Sequence, residues 1–217
     1  MQSYRLIEER CRRAGVIPVL AIAEAADAVP LCRALVDGGL DVLEITLRTP
    51  AAWEAATAVA KAIPEATVGV GTVRDVPALE QAKKLGLAFA VSPGFTPAML
   101  ERAVELDLPY LPGTVTPAEI MTAAAKGYTF LKFFPAELSG GTGMLKALAS
   151  PLAGLSFCPT GGVKPANLQE YLRLPNVACV GGTWLAGAED QKAKEWAAVA
   201  RKAHEAAALR DALRTAA

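Results

Sequence analysis

Histidine is nearly missing from this chain of 217 residues: there is one, His204, inside an alanine-rich tail. A lone histidine with no cysteine or carboxylate cluster argues against a catalytic zinc site and against a Ser–His or Cys–His nucleophile pair. No metal and no cofactor is expected. Cysteine is scarce and scattered. Cys11, Cys32, Cys158 and Cys179 form no Cys-x-x-Cys pair, so neither a disulfide framework nor a zinc knuckle is indicated. Cys158 and Cys179 fall inside apolar runs and read as buried free thiols. Net charge is also absent, because 22 basic residues offset 22 acidic ones. That leaves no electrostatic footprint for nucleic acid or an anionic membrane, so a charged ligand must be held by a local site. The apolar runs stop far short of the ~20 residues that span a bilayer. Residues 1–13 are charged throughout and lack a signal-peptide core. The expectation is a soluble cytoplasmic protein with no nucleic-acid or membrane partner.

What the chain does have is apolar content, 53% of residues with a mean hydropathy of +0.29, which excludes a disordered polymer. Short β-branched runs recur at 16–22, 41–46, 67–71, 87–91, 109–111, 129–133, 155–158 and 178–180. Each is almost wholly apolar rather than alternating, the pattern of a parallel sheet covered on its outer face. Between them lie helical patterns at 28–36, 50–62, 77–85, 97–106, 117–125 and 165–172. Several open on proline and close at glycine, and Thr96 and Thr116 put a capping hydroxyl before Pro97 and Pro117. Eight βα units in this order predict a (β/α)8 barrel of the TIM type. An open doubly wound sheet uses the same local units, but no G-x-G-x-x-G turn opens the series. No linker divides the chain. Residues 1–217 therefore read as one domain with an N-terminal helix and one long helix over 189–217.

In such a barrel the reactive groups belong at the C-terminal ends of the strands. Lys132 interrupts an otherwise apolar strand, so it either reaches the barrel mouth or loses proton affinity by desolvation. A neutral lysine attacks carbonyl groups and forms a Schiff base. The plainer reading is a strand-end lysine reaching for solvent. The flanking Phe133, Phe134 and Pro135 leave little solvent there and favour the nucleophile. Glu44 is equally out of place in Val42-Leu43-Glu44-Ile45. It is either an ion-pair partner of Arg48, four residues on, or a general base beside a Schiff base. Residue type leaves both open. Arg48 in the second case would hold a carboxylate or phosphate. Thr160-Gly161-Gly162 and Gly181-Gly182-Thr183 follow the seventh and eighth strands, the usual phosphate place in this fold. Two glycine pairs at adjacent strand ends favour an anion pocket built from N–H groups over mere tight turns.

Glu44-Ile45-Thr46-Leu47-Arg48-Thr49, Gly69-Val70-Gly71-Thr72-Val73, Val91-Ser92-Pro93-Gly94, Lys132-Phe133-Phe134-Pro135-Ala136-Glu137 and Pro159-Thr160-Gly161-Gly162 together resemble the motifs of the 2-keto-3-deoxy-6-phosphogluconate (KDPG) aldolase family. That family includes 4-hydroxy-2-oxoglutarate (KHG) aldolase. The resemblance runs from about Val16 to Leu185. It implies a trimeric, metal-independent class I aldolase that forms pyruvate and a phosphorylated aldehyde. On that likeness Lys132 is the Schiff-base lysine and Glu44 the acid/base group. Arg48, Thr72 and Thr160 hold the pyruvyl carboxylate and nearby oxygens, Pro93 and Phe134 wall the pocket, and Gly161, Gly162, Gly182 and Thr183 form the phosphate end. Many relatives carry serine where Thr183 stands. A cation such as Arg48 near Lys132 would help keep its amine neutral. Two other classes remain: another phosphate-handling barrel enzyme with Lys132 as an electrostatic clamp, and a non-catalytic or engineered scaffold that retains the site.

Overall fold

Strands buried on both faces need helices over them, and the chain supplies these in alternation. The computed structural model describes residues 2–215, and the side chains of residues 4–213. In order, the first half runs α1 (Gln2–Ala14), β1 (Val16–Leu20), α2 (Ala25–Asp37), β2 (Val42–Thr46), α3 (Ala52–Ala62), β3 (Thr67–Gly71), α4 (Val76–Lys84), β4 (Phe89–Val91) and α5 (Pro97–Glu105). The second half runs β5 (Tyr110–Leu111), β6 (Gly113–Thr114), α6 (Pro117–Ala125), β7 (Phe130–Phe133), α7 (Gly141–Ala149), β8 (Ser156–Pro159), α8 (Pro165–Leu172), β9 (Val180–Gly182), α9 (Ala188–Ala193) and α10 (Trp196–Thr215). Every strand pair is parallel. Thr96 Oγ1 accepts from Met99 N–H, and Thr116 forms a reciprocal capping box with Glu119, so both hydroxyls read from sequence do cap. All four cysteines are free and buried. Burial pushes the Cys32 thiol up to about 12 and lifts Cys179 well above its usual range.

The strands form a curled α/β sheet in two parts. One has the order β5-β4-β3-β2-β1-β9, the other β6-β7-β8. The division falls at Pro112, just past the fifth strand read at 109–111; the short strand β6 beyond it was not expected. Proline has no N–H to donate to a ladder. Leu111 carbonyl accepts from Ser92 N–H beside β4 at 3.2 Å, while Pro112 carbonyl accepts from Lys132 N–H on β7 at 3.0 Å. The chain thus changes neighbours at this residue. On the other side, isolated parallel bridges join Phe157 to Val177 and Thr160 to Gly181.

Three further expectations are corrected. The strand read at 178–180 lies at Val180–Gly182, because its ladder partner β1 aligns Val16 with Val180 and Pro18 with Gly182. Helix α7 goes unannounced in the sequence, since Gly140-Gly141-Thr142-Gly143 reads as loop; Gly140 and Gly141 both take positive φ where the helix begins. The tail read as one helix over 189–217 is broken at Lys194, whose φ of 54° ends α9; Ala216 and Ala217 lie outside the described residues. Helix α10 then packs on α2 at Gly38, where a side chain would fall 2.5 Å from Ala203 Cβ. Its alanine-rich composition is what lets the two backbones approach.

Helix α1 is tied to β7, the strand that carries Lys132. Tyr4 Oη accepts from Phe130 N–H at 2.9 Å and donates to Phe130 carbonyl. The ring is buried and meets Tyr128 edge-on, and burial raises the Tyr4 pKa, keeping the phenol protonated. Tyr4→Phe keeps this packing but orphans both backbone groups. We expect a loss of about 1–3 kcal/mol, lowering Tm by roughly 2–4 °C per kcal/mol in a chain of this size. Urea or thermal unfolding checks this, and an unchanged midpoint would show that water satisfies Phe130 instead.

Candidate active site

Glu44 and Lys132 sit on β2 and β7, strands of different sheet parts, yet they meet inside the molecule. Lys132 Nζ lies 3.5 Å from Glu44 Oε1, and both side chains are buried, 7% and 4% exposed. Burying two charges costs several kcal/mol per ion before their attraction is counted. Here Glu44 Oε1 has no hydrogen-bond partner at all. An unsatisfied buried carboxylate oxygen is rare in a structural ion pair and is the kind of exception that marks chemistry. No ion pair joins Glu44 to Arg48, so the sequence-level pairing at four residues' spacing does not form. The charged partner that Lys132 does have is the Glu44 carboxylate.

Gly71, at the end of β3, makes room for the pair. A side-chain carbon there would fall 1.9 Å from Glu44 Oε1. Nothing local in the sequence marks this role for Gly71, because the constraint comes from a neighbouring strand. The next residue, Thr72, is half-buried and holds φ at 61°. For a β-branched residue this is a true outlier, costing on the order of 1–3 kcal/mol. It is clamped on both sides: Leu47 N–H donates to Gly71 carbonyl at 2.8 Å, and Val73 N–H donates to Val91 carbonyl at 3.0 Å.

Phe134 connects this centre to the glycine loop after β8. Lys132 Nζ stands 5.1 Å from the Phe134 ring centroid, within cation–π range. The same ring lies 3.4 Å from where a Gly161 side chain would begin. In the loop itself, the carbonyls of Thr160, Gly161 and Gly162 accept from Ala136 N–H, Glu137 N–H and the Asn167 amide at 2.8, 3.1 and 3.2 Å. With φ of 96° and 81° at the two glycines, the N–H groups of Gly161, Gly162 and Val163 have no acceptor among the described residues. Successive unpaired N–H groups are the material from which anion-binding concavities are made. Thr160 is buried, with Oγ1 3.4 Å from Cys158 carbonyl.

Arg48 and Thr183 come together elsewhere on the same rim. Arg48 Nε donates to Thr46 Oγ1 at 3.1 Å, and Thr46 Oγ1 donates to Leu20 carbonyl at 2.8 Å. Arg48 lines an open cleft of about 570 Å³ together with Thr183, Gln191 and Lys192. Thr46 as the holder of Arg48 was not foreseen. Thr183 is exposed and its side chain caps nothing. Gly182 is buried on β9 opposite Pro18, and Pro93 is exposed at the end of β4, its carbonyl pressed against Gly113.

A family model described as KDPG and KHG aldolase matches residues 7–202. The chain is 42% identical over 207 residues to the KHG/KDPG aldolase of Escherichia coli (strain K12), covering 95% of this chain and 97% of the relative. It is 44% identical over 193 residues to the 2-dehydro-3-deoxy-phosphogluconate aldolase of Pseudoalteromonas atlantica, covering 89% and 90%. Among solved structures, the KDPG aldolase of Legionella pneumophila, with pyruvate captured as a covalent carbinolamine intermediate, superposes with a TM-score of 0.89 at 40% identity, covering 91% and 96%. With the buried lysine–carboxylate contact, the free N–H groups and these likenesses together, the chain belongs to the KDPG and KHG aldolase family.

Proposed function

We propose that this protein is a class I aldolase that reversibly cleaves KDPG to pyruvate and glyceraldehyde 3-phosphate, and also KHG to pyruvate and glyoxylate. The observation that carries the reading is Lys132 Nζ held 3.5 Å from an unsatisfied Glu44 oxygen in a buried site. Glu44 accepts the proton that Lys132 must shed. The free amine attacks the C2 ketone to give a carbinolamine, the species named for pyruvate in the L. pneumophila relative. Glu44 returns its proton to the carbinolamine hydroxyl, which leaves as water to give an iminium, and Glu44 is again a carboxylate. Glu44, directly or through water, takes the C4 hydroxyl proton. The C3–C4 bond breaks, its electron pair flows into the iminium, and the aldehyde departs. Protonation of the enamine at C3 and hydrolysis release pyruvate and restore the amine. Arg48, Thr72 and Thr160 hold the pyruvyl oxygens, and Pro93 and Phe134 wall the pocket. The N–H groups of Gly161 and Gly162, with Gly182 and Thr183, take the phosphate. A structure of the Zymomonas mobilis ZM4 KDPG aldolase with 3-phosphoglycerate, 43% identical to this chain, supports a phosphorylated three-carbon ligand.

The two sheet parts are read as one closed (β/α)8 barrel and residues 1–217 as a single domain. The Pro112 crossover and the bridges from β8 to residues 177 and 181 support closure. The protein is further read as a cytoplasmic homotrimer, a reading suggested by the family resemblance; no helix among the described residues is long and apolar enough to cross a membrane. Sedimentation at a monomer mass, or recovery in a membrane pellet, would remove these last two statements.

Incubation with pyruvate and borohydride should add one reduced pyruvyl group per chain, at Lys132, and abolish turnover. An adduct on Lys126 or Lys146, or none, sinks the Schiff-base mechanism. Lys132→Arg should fold and be inactive. Glu44→Gln should still trap pyruvate while turnover drops about 10²–10⁴-fold, as for a lost general base; turnover equal to the parent's would leave Glu44 a structural partner. Thr183→Val removes a hydroxyl donor to a dianion, costing about 1.5–3 kcal/mol, or roughly tenfold to hundredfold in kcat/KM, with KDPG. An equal loss with KHG, which has no phosphate, would show that Thr183 shapes its loop instead.

A further inference from the structure

Glu137 closes the Lys132-Phe133-Phe134-Pro135-Ala136-Glu137 motif and has no part in the chemistry above. Its backbone N–H holds Gly161 carbonyl. Its side-chain stem occupies the space beside Gly162, where an added Cβ would fall 2.4 Å from Glu137 Cγ. A carboxylate so close to three free N–H groups is an internal competitor for any anion they would bind. Its Oε1 is instead turned aside, accepting a hydrogen bond from Tyr171 Oη. Tyr171 comes from α8 and is fully buried. Burial, and then the Glu137 charge, hold its phenol above the usual range, so it stays a donor. There the carboxylate oxygen abuts Gly141, 3.1 Å from where a side chain would begin, in the first turn of α7. The positive end of that helix favours a negative charge.

We propose that Tyr171 is a positioning residue for substrate phosphate: it pins the Glu137 carboxylate against the start of α7, so that the Glu137 stem seats Gly162 while its charge stays off the N–H groups of Gly161, Gly162 and Val163. This rests on the reading of that loop as the phosphate end. It assigns discrimination between phosphorylated and unphosphorylated keto acids partly to two side chains that never touch substrate.

The test is steady-state kinetics of the full-length chain with KDPG and KHG, with inorganic phosphate as a competitive inhibitor. Tyr171→Phe keeps the buried ring and frees the carboxylate. It should raise KM for KDPG and the inhibition constant of phosphate about tenfold, the size of one charge-assisted hydrogen bond, while kcat, KHG turnover and pyruvate trapping hold. Adding Glu137→Gln, which removes the competing charge at constant shape, should recover most of the lost phosphate affinity. A phosphate inhibition constant unchanged in Tyr171→Phe overturns the proposal and leaves the phosphate reading intact. So does a double variant no better than Tyr171→Phe, since Tyr171 would then only pack. Parent enzyme that phosphate does not inhibit, and that Thr183→Val leaves unaffected on KDPG, overturns the phosphate reading and this proposal together.

Discussion

A lysine and a glutamate buried 3.5 Å apart, on strands that are not sheet neighbours, fix the geometry of everything around them. Desolvating the two groups is costly, and their attraction offsets that cost only at close range. The contact therefore demands that β2 and β7 hold their relative position to within a fraction of an ångström. The sequence meets this demand from both sides. Gly71 vacates the volume that Glu44 fills. Lys132 is fixed through its own N–H by Pro112 carbonyl, and the start of β7 is fixed by Tyr4. The Glu44 oxygen that faces Lys132 accepts no hydrogen bond, so the two groups are held at ion-pair distance without the close donor contact that a purely structural pair would make.

On the proposed reading, an anion is bound without net charge, and backbone rather than side chains carries that task. The loop after β8 turns three consecutive carbonyls inward onto protein donors, which leaves consecutive N–H groups free. That arrangement needs no lysine or arginine, in keeping with a chain whose charges cancel. Positive φ at both glycines is the conformational requirement, which is why no other residue type serves there. Arg48 contributes at a different point of the rim, held by Thr46 rather than by a carboxylate.

Much of this was legible in the sequence for a simple reason. A charged residue inside a short apolar strand contradicts its surroundings, so Lys132 and Glu44 announced themselves. Gly161-Gly162 stood out in the same way after its strand, whereas Gly181-Gly182 lies within β9, paired to β1. What failed were inferences that needed distance across the fold. The Glu44–Arg48 pairing borrowed a helical spacing, but in an extended segment four residues span about 13 Å, and the chain turns after Thr46. Gly71, Thr46 and Tyr171 owe their importance to partners on other elements, which no local pattern records. The fifth strand was read to stop at Leu111, and only the pairing shows that the chain resumes as β6 beyond Pro112 against a different neighbour. Helix α7 hid behind glycines that begin it in a left-handed conformation.

The molecule thus separates two kinds of constraint. The lysine–glutamate centre is built from strand residues in a dry interior, where any displacement is resisted by the whole sheet. The rim is built from strand-end loops whose conformations are enforced one hydrogen bond at a time, as at Thr72 between β2 and β4 or at Gly161 beneath Glu137. Strain of on the order of 1–3 kcal/mol at Thr72 persists only because its neighbours on both sides hold it. On the proposed reading, substitutions at the rim change which end group a keto acid carries while the lysine–glutamate centre stays as it is. Family members named for KDPG alone and for both KHG and KDPG fit such a division, since the two substrates share the pyruvyl end and differ only where the rim meets them.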